Sequence, residues 1–160
     1  GITTLFVTHD QEECFSISDK VAVMNRGVIE QFDTPENIYQ KPNTEFVARF
    51  IGFENFLPLK KEGDVYKTGT GAVFNVETAQ REGACMGTIR PEDIRVADQG
   101  QDNNILEGTV GVRTFLGKGY QYEVLTAAGK FLVNRPAEET YEEGSRIRLY
   151  LPESKLILVS

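Results

Sequence analysis

The sequence opens on an apolar run that ends in polar residues, Thr3-Thr4-Leu5-Phe6-Val7-Thr8-His9-Asp10. Leu5-Phe6-Val7 is short and wholly apolar, which is typical of a buried strand of the parallel type. Gln11-Glu12-Glu13 follows, and acids favour the first turn of a helix. A strand that ends in a polar side chain just before a helix is how α/β proteins present a group to a ligand. The run therefore predicts a short α/β segment with His9 at a ligand-facing strand end.

The composition is that of a globular protein with an acidic surface. The 160 residues are 40% hydrophobic and 26% charged, and the net charge is -7. General binding to nucleic acid needs a basic surface, so we predict no nucleic-acid partner. The two cysteines, Cys14 and Cys85, are far apart, and a single histidine cannot complete a zinc site with them. We therefore predict reduced thiols and no metal site.

Residues 20–52 show a hairpin followed by two helices. Residues 20–24 and 28–32 are predicted strands, joined by a three-residue loop whose last residue, Gly27, suits a glycine bulge. Thr34-Pro35-Glu36 predicts a helix start, with Ile38 and Tyr39 facing inward. Asn43 or Thr44 is predicted to cap a second helix, which has an apolar stripe and ends at Gly52; the stripe consists of Phe46, Val47, Phe50 and Ile51.

Nearly all of the first 52 residues carry a resemblance to one family. The region resembles the end of the nucleotide-binding domain of ABC-transporter ATPase subunits, in the branch that serves importers of maltose, polyamines, sulfate and ferric iron. The motifs that carry the resemblance are Thr8-His9-Asp10-Gln11-x-Glu13, Ser18-Asp19-Lys20-Val21-Ala22-Val23-Met24-x-x-Gly27-x-Ile29-x-Gln31, Thr34-Pro35-x-x-Ile38-Tyr39-x-x-Pro42 and Phe46-Val47-Ala48-x-Phe50-Ile51-Gly52. Cys14 stands where that family commonly has alanine.

The resemblance implies that His9 is the switch histidine of the parent subunit. In the family this side chain contacts the γ-phosphate of ATP across the subunit interface, and the cofactors are ATP and Mg²⁺. An imidazole at a strand end can hydrogen-bond a phosphate oxygen and position the attacking water.

The other parts of an ATPase site are absent from the sequence. Phosphoryl transfer needs a glycine-rich phosphate loop with its lysine and an acidic metal ligand. The nearest glycine-rich run, residues 111–119, has the wrong spacing and is predicted to be a turn between strands. The Leu-Ser-Gly-Gly-Gln signature and an apolar strand ending in Asp-Glu are missing as well. We therefore expect a piece of a longer subunit that has no ATPase activity and no cofactor of its own.

Beyond Asn55 the hydrophobic period changes from helical to two. Short strands separated by glycine turns predict a small all-β barrel; the candidates are residues 56–59, 64–67, 72–76, 86–90, 91–96, 105–116, 120–124, 131–133, 146–149 and 156–159. Tyr120 and Tyr122 are interpreted as core aromatics of one barrel face. The acids Glu138, Glu139, Glu142 and Glu143 are interpreted as solvated loop residues.

This half of the chain resembles a second known module. Ile89-Arg90-Pro91-Glu92-Asp93-Ile94, Phe115-Leu116-Gly117 and the aromatic strand that follows look like the TOBE domain, an OB-fold-like barrel at the carboxyl end of these ATPase subunits. In the family this domain can bind regulators, mediate dimerisation or sense a small ligand. We predict a mostly β chain, with the tail of a P-loop ATPase domain at residues 1–54 and a TOBE-like barrel at residues 55–160.

Two groups of residues are candidates for regulatory contacts. Arg90, Glu92 and Asp93 could contact a regulator or a partner subunit, or could simply form a proline turn whose acids cap the next segment and pair with Arg90; we favour the proline turn. Arg113 and Thr114, with Thr109, form the only cluster that could recognise an oxyanion or metabolite.

The partners and location follow from the resemblance. The parent would bind transmembrane permease subunits and lie at the cytoplasmic face of the membrane, as part of a nutrient importer. A homodimer is predicted, because an isolated apolar strand leaves an open edge. The alternative function is a sensor of a small ligand that regulates transport.

Overall fold

The computed structural model describes residues 19–77, 83–98 and 100–160, which fold mostly as β-structure with two short helices. The chain divides into two compact units. The first runs to Gly52 and includes Val159–Ser160, and the second is Phe53–Leu158. The predicted strand at Leu5-Phe6-Val7, together with His9 and Cys14, lies outside the described residues.

The first unit contains the expected hairpin with a different turn. Strands β1 (Val21–Asn25) and β2 (Val28–Asp33) are antiparallel, and Asn25 pairs with Val28. The loop is therefore Arg26-Gly27, with φ of +52° and +81°. Two consecutive residues with positive φ match the right-handed twist of the strands they join. The predicted three-residue loop is wrong, and the irregularity in the register falls at Val23/Met24 instead.

Both predicted helices form, and each begins at a threonine. The Thr34 hydroxyl accepts from the Asn37 amide at the start of the helix Pro35–Gln40, and the Thr44 hydroxyl caps the helix Glu45–Phe50 in the same way. Ile38 faces inward as predicted, whereas the inward-facing prediction is wrong for Tyr39, which is 46% exposed. Of the predicted apolar stripe, Val47 and Ile51 are buried, and Phe46 and Phe50 are each 38% exposed, because a helix of six residues buries only a narrow stripe.

The second unit consists of two five-stranded sheets, of order β10-β9-β8-β11-β7 and β12-β6-β3-β4-β5. Each strand candidate beyond Asn55 contains a strand, although in the run 91–96 only Arg95–Val96 is strand and Pro91–Asp93 forms a 3₁₀ turn. The strands are β3 (Asn55–Glu62), β4 (Val65–Lys67), β5 (Val73–Phe74), β6 (Ala84–Ile89), β7 (Arg95–Val96), β8 (Ile105–Phe115), β9 (Gly119–Thr126), β10 (Gly129–Pro136), β11 (Arg146–Tyr150) and β12 (Ile157–Val159).

The two sheets of the second unit share one hydrophobic core. Alternate residues of the strands turn inward, as Leu57 and Leu59 do in β3 and Val124 does in β9. Cys85 is buried and belongs to this core. The period of two in the sequence is thus the signature of a sheet with one buried face.

A buried asparagine joins the two sheets. The Asn55 side chain donates to the Leu132 carbonyl at 2.8 Å and accepts from the Leu132 amide at 2.8 Å. Its own carbonyl accepts from the Thr88 hydroxyl at 2.7 Å. Because Leu132 lies in β10 and Asn55 in β3, the side-chain amide acts as a one-residue strand partner for β10.

Candidate functional site

The predicted site residues fall into three parts of the chain. His9 lies outside the described residues, so its role stays a prediction. The structure places the others in a short turn and along one strand, and these are Arg90, Glu92, Asp93, Arg113 and Thr114.

The Arg90 group forms a fixed turn in the second unit. Pro91–Asp93 is a single 3₁₀ turn, in which the Asp93 amide donates to the Arg90 carbonyl at 3.0 Å. The Arg90 guanidinium lies 4.1 Å from the centre of the Phe53 ring, and the turn packs against β10. A cation over an aromatic face stabilises this placement. Glu92 is exposed and is the residue of the turn that a regulator could reach.

Arg113 and Thr114 lie on the part of β8 that extends beyond its pairing with β11. Strand β11 pairs with β8 only as far as Thr109. At the next residue, the Val110 amide donates to the Ser145 carbonyl at 2.9 Å, and the Val110 carbonyl accepts from the Gly144 amide at 2.8 Å. Beyond that point β8 is paired with β9 alone among the described residues. We call residues 111–116 the β8 edge segment.

A row of aromatic rings leads from the core to this edge. The centroid distances are 5.5 Å from Tyr141 to Tyr122, 6.1 Å from Tyr122 to Tyr120 and 5.3 Å from Tyr120 to Phe115. Arg113 lies over the Tyr120 ring at 4.6 Å. Tyr122 is 1% exposed, which confirms its core position, Tyr120 is half-buried, and Phe115 is 62% exposed. The core aromatics therefore continue onto an unburied surface.

A charged network lies at the Tyr141 end of this row of rings. The sequence interpretation did not predict it. Arg135 donates to both carboxylate oxygens of Glu139, at 2.8 and 2.6 Å, and the Tyr141 hydroxyl donates to Glu139 at 2.9 Å. The hydrogen bond from Arg135 lowers the pKa of Glu139. Burial, with the Glu139 carboxylate beside it, raises the pKa of Tyr141 to about 12.

Glu139 is thus a loop acid, as predicted, and its side chain is 36% exposed, but it is paired with Arg135 and Tyr141 rather than free in solvent. The spacing of four residues between Arg135 and Glu139 was the available signal, although it lies where a strand ends and a loop begins.

A depression of about 600 Å³ is lined by residues of β8, β9 and β11 and by the loop at residues 70–72. Arg146 and Arg148 line it, at 3.7 and 3.8 Å from the Glu107 carboxylate. Arg148 is held in place because it also donates to the Gln101 carbonyl at 2.6 Å. The predicted oxyanion cluster of Thr109, Arg113 and Thr114 does not line this depression.

The described part of the chain offers no group of three His, Cys, Asp or Glu side chains that could hold a metal ion. Within the same residues, no helix has the length and hydropathy needed to cross a bilayer.

The β-unit with these features corresponds to a known class of domain. Residues 87–159 match the family model described as the TOBE domain. The predicted resemblance is confirmed, and the chain is a relative of the ATP-binding subunits of ABC importers.

The relatives name one type of importer. The chain is 40% identical over 152 residues to the spermidine/putrescine import ATP-binding protein PotA 1 of Pseudomonas aeruginosa, a match that covers 88% of this chain and 40% of that protein. It is 39% identical over 136 residues to PotA of the Aster yellows witches'-broom phytoplasma, which covers 84% of this chain and 32% of that protein. The chain thus spans only about a third of the length of such relatives.

A solved structure shares the fold at low sequence identity. The cytoplasmic molybdate-binding protein ModG, with molybdate bound, aligns with 68% of this chain and 96% of its own at a TM-score of 0.54. The identity is 15%, so the likeness shows a common fold alone.

Proposed function

We propose that this chain is the carboxyl-terminal region of the ATP-binding subunit of a polyamine importer. Residues 1–54 are the end of the nucleotide-binding domain, and residues 55–160 are the TOBE-like regulatory barrel. The observation that carries the proposal is the 40% identity to the P. aeruginosa protein over 88% of this chain. A match on that scale includes the hairpin and the two helices as well as the TOBE domain.

The whole subunit would couple ATP hydrolysis to uptake of spermidine or putrescine. It would bind ATP and Mg²⁺ in its nucleotide-binding domain, pair with a second copy and with transmembrane permease subunits, and lie at the cytoplasmic face of the membrane. The barrel would serve as the regulatory and dimerising part. The acidic net charge of -7 agrees with protein partners rather than nucleic acid.

His9 carries the one catalytic role that we propose for this chain. A neutral imidazole at a strand end can hydrogen-bond the γ-phosphate and orient the attacking water, so its loss removes stabilisation of the transition state. In a chimera that joins the preceding residues of the P. aeruginosa relative to this chain, His9→Ala should lower the ATP hydrolysis rate by about 10²-fold or more. ATP binding should change little.

The matched control is Gln40→Ala, which alters an exposed helix end and should leave the hydrolysis rate of the chimera unchanged. A His9→Ala chimera that hydrolyses ATP like the unsubstituted chimera would contradict the switch role. So would His9-dependent hydrolysis by the 160-residue chain alone, because its sequence lacks a phosphate loop.

Ligand sensing by the barrel is a second candidate function. Its support is the depression lined by Arg146 and Arg148, together with the fold shared with a molybdate-binding protein. Two guanidinium groups can bind an oxyanion once Glu107 moves aside, against the opposing charge of Asp102, which also lines the depression. Calorimetry with molybdate, sulfate, phosphate and spermidine tests this function. Binding of an anion to the unsubstituted chain, weakened at least about tenfold by Arg146→Ala, would support ligand sensing. If none of the four compounds gave a binding heat, ligand sensing by this depression would be contradicted.

A further inference from the structure

The depression beside β8 and β11 carries charges of both signs and an apolar wall. Arg146 and Arg148 supply two positive charges, and Asp102 and Glu107 supply two negative ones. Leu125, which is 57% exposed, lines the same depression. The formal charges of its lining side chains therefore cancel, and its volume of about 600 Å³ is that of a small-molecule site.

The strand register places these side chains on one face of the sheet. Arg148 of β11 lies directly opposite Glu107 of β8, and Arg146 lies opposite Thr109. Thr109 lies opposite Leu125 of β9 on its other side. Directly opposed residues of an antiparallel pair project to the same face, and so do residues two apart in one strand. The two arginines, Glu107 and Leu125 thus project together.

The ion pairs inside the depression are loose. The Glu107 carboxylate lies 3.7 Å from Arg146 and 3.8 Å from Arg148, and both distances exceed the roughly 2.7–3.2 Å of a hydrogen bond. Arg148 is nonetheless held in place by its hydrogen bond of 2.6 Å to the Gln101 carbonyl. A ligand carboxylate can therefore take the place of Glu107 between the two guanidinium groups without breaking a close contact.

The balance of charges selects the class of ligand. A simple anion is attracted by the two arginines and repelled by Asp102 and Glu107, and for a simple cation the attraction and repulsion are reversed. A ligand that carries both charges avoids this cancellation. Its carboxylate accepts from the guanidinium groups, and its ammonium group donates to the displaced Glu107 and to Asp102.

We propose that the depression binds a small aminocarboxylate, a zwitterion whose ammonium and carboxylate groups are separated by methylene groups that contact Leu125. The inference rests on ligand sensing, the second candidate function above, and deepens it by naming the ligand class. The charged groups of this open depression are solvated, so we expect a dissociation constant of about 1–10 mM.

Three probes of equal chain length test the charge requirement. They are 4-aminobutyrate, butyrate, which lacks the ammonium group, and 1-aminobutane, which lacks the carboxylate. Amide chemical shifts of the 160-residue chain are followed by nuclear magnetic resonance at constant ionic strength. We expect 4-aminobutyrate to shift Gly108, Leu125 and Arg146, and to bind at least about fivefold more tightly than either analogue.

Substitutions separate the roles of the two signs of charge. Arg146→Gln should weaken 4-aminobutyrate at least about fivefold, because its carboxylate loses one guanidinium group. Asp102→Asn should weaken 4-aminobutyrate and strengthen butyrate, a pair of opposite effects that a merely structural role of Asp102 would not produce. Lys155→Gln, at an exposed turn outside the depression, is the matched control and should change neither affinity.

The outcomes distinguish this inference from the functions proposed above. Butyrate that binds as tightly as 4-aminobutyrate would overturn the zwitterion and leave anion sensing, and 1-aminobutane that does so would also overturn it. Equal effects of Asp102→Asn on 4-aminobutyrate and butyrate would overturn the ammonium contact. If no probe shifted these amides up to about 50 mM, both this inference and ligand sensing at the depression would fail, whereas the role in polyamine import would stand.

Discussion

Replacing Asn55 by alanine should lower the free energy of unfolding by about 2–4 kcal/mol. Asn55 is fully buried, and its side-chain amide satisfies both the N–H and the C=O of Leu132 at 2.8 Å. Alanine leaves both backbone groups without their partner, and an unsatisfied buried polar group costs more than the net value of a hydrogen bond. Urea unfolding followed by far-ultraviolet circular dichroism measures the loss.

The control for this substitution is an asparagine on the surface of the same unit. Asn103 is exposed, so Asn103→Ala should change the free energy of unfolding by less than about 0.5 kcal/mol. If Asn55→Ala were as mild as Asn103→Ala, the bridge between the two sheets would not contribute to the stability of the second unit.

Replacing Gly119 by alanine should also be strongly destabilising, by about 1–3 kcal/mol or more. A Cβ atom at Gly119 would collide with the Arg135 carbonyl oxygen and lie 3.3 Å from the Cα of Pro136. These atoms belong to the backbone of β10, which pairs with β9 at this point, so the two strands would have to move apart. The expected result is a lower urea midpoint and loss of order where β9 begins.

Gly69→Ala is the matched control for Gly119→Ala. A Cβ atom at Gly69 would meet no heavy atom within 4 Å, and the residue does not need a positive φ. Stability should stay the same or rise slightly, since alanine restricts the unfolded chain. Equal losses at Gly69 and Gly119 would show that the close approach of β10 to Gly119 is not what selects glycine there.

Local patterns predicted most of the secondary structure. Thr34 and Thr44 marked the helix starts because a hydroxyl before a helix satisfies an amide that has no other partner. The period of two beyond Asn55 identified the strands because each sheet has one buried face. These signals depend on residues that are close in sequence, which is why they can be recognised without the fold.

The features that the sequence did not reveal depend on contacts between distant residues. Asn55 and Leu132 are 77 positions apart, and nothing near Asn55 indicates a bridge to β10. The pairing of the Glu139 carboxylate depends on Arg135 and on the Tyr141 hydroxyl at the end of the aromatic row. Phe46 was assigned to an apolar stripe that only partly meets the core. Periodicity shows which side chains share a face, but tertiary packing decides how much of that face is covered.

The candidate site was only partly accessible from the sequence. Arg113 and Thr114 were named as regulatory candidates, and they lie on the β8 edge segment. They lie at an edge because β11 pairs with β8 only as far as Thr109. The depression beside Arg146 and Arg148 was not predicted because β8, β9, β11 and a loop, which are distant in sequence, form it together.

Polyamine uptake by cells tests the central proposal most directly. The measurement is entry of labelled spermidine into P. aeruginosa cells that lack their own PotA 1 and carry the chimera of that protein's preceding residues with this chain. The account predicts ATP-dependent uptake that His9→Ala abolishes and Gln40→Ala preserves. A chimera that folds, reaches the membrane and hydrolyses ATP, yet supports no spermidine uptake, would contradict the proposal that this chain is the carboxyl-terminal region of a polyamine importer subunit.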